Sequence, residues 1–214
     1  LYSFCRILDD LADGDIKFGP ERLEAIRTGL HKNTPHIDPA LAEFWPVMQS
    51  CAVPAEPLIH LLDGLLLDQK PVRIETEVAL VRYAYHVAGA VGLLMCPVLR
   101  CASKDAEPFA IDMGIAMQLT NIVRDIGEDA RSGRLYIPLD WMAKYGLEKK
   151  QFLKNPATSR ELGQIARKLL EEARYVVFES LFSKFLRFLS FLSFKRAEDT
   201  KVDSYTHTQH TCTI

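Results

Sequence analysis

Apolar residues recur at three- and four-residue intervals along almost the whole of this chain, and no sustained two-residue alternation interrupts them. A half-buried strand needs that alternation, so the fold class expected is all-α. The periodicity predicts helices over 1–13, 20–30, 39–51, 55–68, 75–95, 107–130, 138–145 and 158–194. Stops fall at Gly14, Gly19-Pro20, Pro35, Pro39, Pro54, Pro71, Pro97, Gly133 and Pro156. The connections are then mostly short, which suits an antiparallel bundle whose ligand site is built from side chains on facing helices. With 214 residues, 48% hydrophobic and 25% charged, the chain can bury the core of one such domain. No self-similar period of roughly 20–50 residues suggests a solenoid or propeller.

Charge and cysteine usage narrow the function classes. Lys and Arg total 26 against 28 Asp and Glu, a net charge of -2, so no global basic field would hold a nucleic-acid backbone and nucleic acid is not an expected partner. The five cysteines are scattered without a CxxC pair or a nearby zinc-finger histidine, and read as reduced core thiols. Arg6, Asp9, Asp10 and Asp13 break any early apolar run, and no run of about eighteen uncharged apolar residues occurs, so the expected location is cytoplasmic. Leu1 already lies in a helical pattern without an N-cap, which suggests a chain that begins inside an element. From about residue 176 the composition shifts. The expected division is a partial catalytic domain over 1–175 and a divergent segment over 176–214. Residues 178–194 read either as a core helix of an incomplete bundle or as a peripheral membrane contact, and 195–214 as a disordered tail.

Three stretches carry the chemistry. In the first, Asp9 and Asp13 stand one helical turn apart on one face, where like charges repel. A hard cation such as Mg2+, which takes carboxylate and phosphate oxygens together, would explain them; so would a solvated acidic helix end. In the second, Gln118, Asn121, Asp125 and Asp129 fall within an arc of about 80° on one helix, beside an apolar arc of Ile115, Leu119, Ile122, Val123 and Ile126. One face is core and its neighbour is a row of oxygen ligands. Gly127 within that row fits either a close ligand approach or a packing contact.

Two such rows on helices facing across a cavity would hold several divalent cations and a polyanion, and the chemistry implied is diphosphate departure. Arg6, Arg124, Arg131 and Arg134 would add direct diphosphate contacts, although each alone also reads as a surface residue. The third stretch, 82–99, is a helix with Gly89 and Gly92 inside it, which lets either a neighbouring helix or a prenyl chain lie against the backbone. Tyr83 and Val87 would line one wall, and a phenol face can stabilise a cation. His60 and His86 lie in no metal-ligand array, and no Walker, GxGxxG or GxSxG motif occurs.

YSFCRILDDLAD (2–13), YAYHVAGAVGLLMCPVL (83–99) and QLTNIVRDIGEDARSGRLYIP (118–138) resemble, in order, the three signature regions of the squalene and phytoene synthase family, most closely its bacterial phytoene synthases. The resemblance covers about residues 1–175. It implies an all-α isoprenoid synthase bundle and a Mg2+-dependent head-to-head condensation of two prenyl diphosphates, with Mn2+ as a substitute ion. In that family one allylic diphosphate ionises, its cation alkylates the second molecule, and a cyclopropylcarbinyl diphosphate forms and then rearranges. The resemblance implies metal ligation by Asp9, Asp13, Asn121, Asp125 and Asp129. Arg6, Gln118, Arg124 and Arg134 are then diphosphate contacts, and Tyr2, Tyr83, Val87 and Tyr136 flank the cations and chains, with Tyr83 and the four aspartates as the catalytic set. The substrate expected is geranylgeranyl diphosphate, giving phytoene in carotenoid biosynthesis. The alternatives are a squalene, dehydrosqualene or presqualene diphosphate synthase using farnesyl diphosphate, with NADPH needed only for squalene, and a non-catalytic remnant. The family pattern also has more chain before the first motif and after the second, so the bundle is expected to be truncated at both ends.

Overall fold

A computed structural model of the chain describes residues 1–69, 74–101, 103–154 and 160–179. Every regular element among them is helical, as the periodicity predicts. Residues 1–177 form one compact unit, and 178–214 fall in a second of which only 178 and 179 are described. The predicted amphipathic segment and tail therefore lie almost wholly outside the described residues.

Helix α1 (Tyr2–Asp13) stops at Gly14, whose φ of 83° is the left-handed conformation that glycine adopts freely. Helix α2 (Gly19–Lys32) follows, then a 3-10 turn (Pro35–Ile37) and α3 (Pro39–Ser50). Asp38 caps α3 by accepting from the Ala40 backbone N–H at 2.8 Å. The same carboxylate takes both arms of Arg22, at 2.7 and 2.9 Å, so one buried aspartate starts α3 and ties it to α2. Helix α4 (Ala55–Leu67) is apolar along most of its length.

Helix α5 (Glu77–Ala84), a π turn (Tyr85–Gly89) and α6 (Ala90–Val98) run on without a break. Pro97, read from sequence as a stop, sits in the final turn, so the helix reaches three residues beyond the predicted end. Glu77–Val98 is long and apolar enough to cross a membrane by length and composition. Here it packs between two other helices. A Cβ on Gly92 would strike the Ala110 carbonyl of α7 (Ala106–Arg131), and one on Gly114 of α7 would strike that of Ala88. Gly64 of α4 lies close against the His86 and Val87 side chains, though less tightly. The glycines of 82–99 thus serve close helix packing, which decides between the two readings the sequence leaves open. His60 and His86 stack with ring centroids 5.6 Å apart, and His60 Nδ1 lies 2.9 Å from the Tyr85 hydroxyl.

After α7 come α8 (Leu139–Lys144), α9 (Lys149–Lys154) and α10 (160–179). The six-residue α9 has no counterpart in the predicted helices. Two apolar clusters result. One joins α1 to α4 with Ala90 and Leu94 of α6; the other joins α5, α7, residues 135–137, α8, α9 and α10. The continuous 77–98 helix contributes to both.

Candidate active site

A cavity of about 330 Å³ opens where the two clusters meet. Its walls are α1 and α7. From α1 come Arg6, Asp9 and Asp13; from α7 come Gln118, Asn121, Arg124, Asp125 and Asp129. Tyr83 at the end of α5 and Val87 in the π turn close one side, and Arg134 and Tyr136 reach in from the strap after α7. A π turn re-aims side chains relative to a regular helix, and such turns recur at functional sites. Of the residues the sequence singles out as metal- or substrate-binding, the structure leaves Tyr2 and Arg131 apart: Tyr2 is 82% exposed, Arg131 is exposed at the end of α7, and neither lines the cavity.

Local pairing holds the cationic and anionic groups in check. Arg134 reaches across from the strap to Asp13 at 3.2 Å. Arg124 grips its neighbour Asp125 with two bonds of 2.8 and 2.6 Å, which hold that carboxyl below the ordinary range. Arg6 pairs with Asp10, not Asp9, at 3.0 Å. Asp9 and Asp129 are pushed the other way. Removal from water raises each, and a second carboxylate one turn along, Asp13 for Asp9 and Asp125 for Asp129, raises it further.

The donors facing the cavity from both walls are carboxylate and amide oxygens, the chemistry of a hard divalent cation. Among the described residues no group of three His, Cys, Asp or Glu side chains stands ready to hold an ion unaided. The donor set therefore fits Mg2+ that completes its shell with water and phosphate oxygens. It does not fit an all-protein cage.

One member of the cavity wall has no motif in the sequence. Asp68, the residue that ends α4, accepts the Tyr83 hydroxyl at 2.8 Å and the Tyr136 hydroxyl at 3.3 Å. The two phenol rings stack with centroids 5.0 Å apart and planes 22° from parallel. Burial raises the Asp68 carboxyl to about 6 against the opposing pull of its two hydrogen bonds. Burial and the Asp68 charge together raise both phenols, Tyr136 to about 12. Asp68 closes an apolar run, LLDGLLLD, and its partners lie 15 and 68 positions away, so no local spacing could have marked it.

Comparison with known proteins identifies the family. The sequence profile of the squalene/phytoene synthase family matches residues 1–182. A phytoene synthase of Rhodobacter capsulatus is 37% identical over 183 residues, covering 81% of this chain and 52% of that protein. A phytoene synthase of Thermus thermophilus is 40% identical over 151 residues, covering 69% and 51%. A crystal structure of a dehydrosqualene synthase in complex with ligand superposes with a TM-score of 0.71 at 33% identity, covering 86% of this chain and 65% of that one. The chain thus spans about half the length of the two phytoene synthases.

Proposed function

The chain belongs to the squalene/phytoene synthase family, and from that membership we propose that it carries the metal- and diphosphate-binding part of a prenyltransferase joining two prenyl diphosphates head to head, with geranylgeranyl diphosphate as substrate and phytoene as product. The observation that supports this best is the convergence of two acidic helices, three arginines and a stacked pair of tyrosines on one cavity.

In this reading Asp9 and Asp13 on one wall and Asn121, Asp125 and Asp129 on the other would hold Mg2+, which would supply Lewis acidity for diphosphate departure. The chain's own groups do the remainder. Arg124 and Arg134 exchange their carboxylate partners for phosphate oxygens as the substrate enters, and the released Asp125 and Asp13 become free to ligate. Arg6 at the rim and Gln118 within the cavity orient the diphosphate. The faces of Tyr83 and Tyr136 lie beside the position where allylic positive charge develops, and an aromatic face stabilises such a charge without capturing it. Val87 offers apolar surface to a prenyl chain. Residues 1–175 carry this site, within the compact unit that ends at residue 177.

Incubation of the purified chain with Mg2+ and geranylgeranyl diphosphate, followed by assay of diphosphate and mass spectrometry of extracted products, tests the reading. Diphosphate release with a C40 hydrocarbon is expected. A C30 product formed only from farnesyl diphosphate would move the chain to the squalene side. Folded protein that releases no diphosphate would overturn the catalytic reading.

A further inference from the structure

Three separate elements bring a side chain to one carboxylate. Tyr83 comes from the end of α5, Tyr136 from the strap after α7, and Asp68 from the end of α4. The next residue anchors the carboxylate to the cavity's other wall. Gln69 donates its side-chain amide to the Ala12 carbonyl of α1 at 2.7 Å, one residue before Asp13. Each phenol has a single proton. Once both protons are given to Asp68, neither hydroxyl can donate into the cavity, and the two rings are held in one stacked arrangement.

We propose that Asp68 is a positioning residue for the condensation, which by accepting both phenol protons holds Tyr83 and Tyr136 as an electron-rich, non-donating wall and keeps their hydroxyls from ordering water beside the allylic cation. This rests on the reading of the cavity as a prenyl diphosphate site. A carboxylate is otherwise a costly choice here. Its surroundings disfavour its charge, and its partners at bonding distance among the described residues are two neutral phenols. An acceptor able to take two protons at once explains it: the carboxylate has two equivalent oxygens, whereas an amide has one.

The consequence is a matter of product partition. An allylic cation met by the second prenyl chain gives hydrocarbon. The same cation met by water forms a C–O bond, loses a proton to solvent and leaves as a C20 alcohol. In Asp68→Asn the amide accepts one phenol proton and turns N–H donors towards the other, so a hydroxyl is freed to bind water. The ratio of alcohol to C40 hydrocarbon is expected to rise about tenfold or more, whatever the change in the rate of diphosphate release. Asp68→Glu, which restores two equivalent oxygens, is expected to recover part of the parent ratio. An unchanged ratio, including one that accompanies a parallel loss of diphosphate release and hydrocarbon, would overturn the proposal. A second readout needs no turnover. In protein carrying 13C at the tyrosine Cζ, the Tyr83 and Tyr136 signals are expected to move in Asp68→Asn while Tyr145 stays; unmoved signals would overturn the proposal. If the parent itself releases no diphosphate, the catalytic reading fails for this chain, and the tyrosine signals still decide whether Asp68 holds the phenols.

Discussion

Aspartates in this chain do opposite kinds of work, and their surroundings tell them apart. Asp38 is 3% exposed and fully engaged by a helix N-terminus and an arginine, the situation of a structural carboxylate. Asp125 stands at an open cavity, and among the described residues its partner is its neighbour Arg124. Asp125→Asn is therefore expected to lower diphosphate release about 100-fold, the few kcal/mol that a metal contributes to such a step, with melting temperature nearly unchanged. A large fall in melting temperature would mark it as structural. Asp68 differs again, because burial raises its carboxyl from the ordinary 3.8 to about 6. Between those values the folded protein holds a proton that the unfolded chain has lost, so this group's contribution to stability falls as pH rises through that window. Asp68→Asn removes the titration. Its melting temperature relative to the parent, in metal-free buffer, is expected to climb between about pH 4 and 6 and to level off above. A relative melting temperature that falls as pH rises would show that the charged form is the one the fold prefers. The acidic rows and arginines were legible as residues because helical spacing puts them on one face. Asp68 was not, since its role comes from contacts that no periodicity encodes, and Tyr2 shows the converse: a residue that the family resemblance implies at the site and the fold leaves in solvent.

Among the elements, α7 is the one whose sequence says most. Its apolar arc is core and its oxygen arc faces the cavity, as the spacing of residues 115–129 requires. Its glycines separate two causes that the sequence left joined. Gly114 and its counterpart Gly92 on α6 are sites of backbone contact, so Gly92→Ala would force α6 and α7 apart and is expected to cost about 1–3 kcal/mol. Gly127 is different, for a Cβ there would meet nothing nearer than the Arg131 guanidinium at 3.7 Å. Gly127→Ala is expected to add up to about 1 kcal/mol of stability from helix propensity alone. Chemical denaturation of both variants checks the pair, and a destabilised Gly127→Ala would reveal a packing contact. The π turn over Tyr85–Gly89 could not be read from sequence, because a shift from i+4 to i+5 pairing leaves the apolar rhythm almost intact. Helix α9 was missed for a simpler reason: six residues with Phe152 as the buried anchor do not make a period.

At the scale of the molecule, the cavity exists because two apolar clusters share one long helix and leave their acidic faces opposed across it. The all-α class, the order of the helices and the pairing of α1 with α7 around one site follow from features legible in the sequence. On the strap that enters the same cavity, Arg134 was legible as a basic residue beside the second acidic row, whereas Tyr136 was legible only through resemblance, since side chains outside a regular element have no periodicity to place them. The central claim is that the two acidic walls act as one site for metal and diphosphate together. Calorimetric titration of the chain with inorganic diphosphate, with and without Mg2+, tests it most directly, and Asp9→Asn and Asp125→Asn each remove a ligand from one wall. Saturable binding only in the presence of Mg2+, weakened about tenfold or more by either substitution, is the expected result. Binding that needs no Mg2+, or that survives the loss of either wall unchanged, would contradict it.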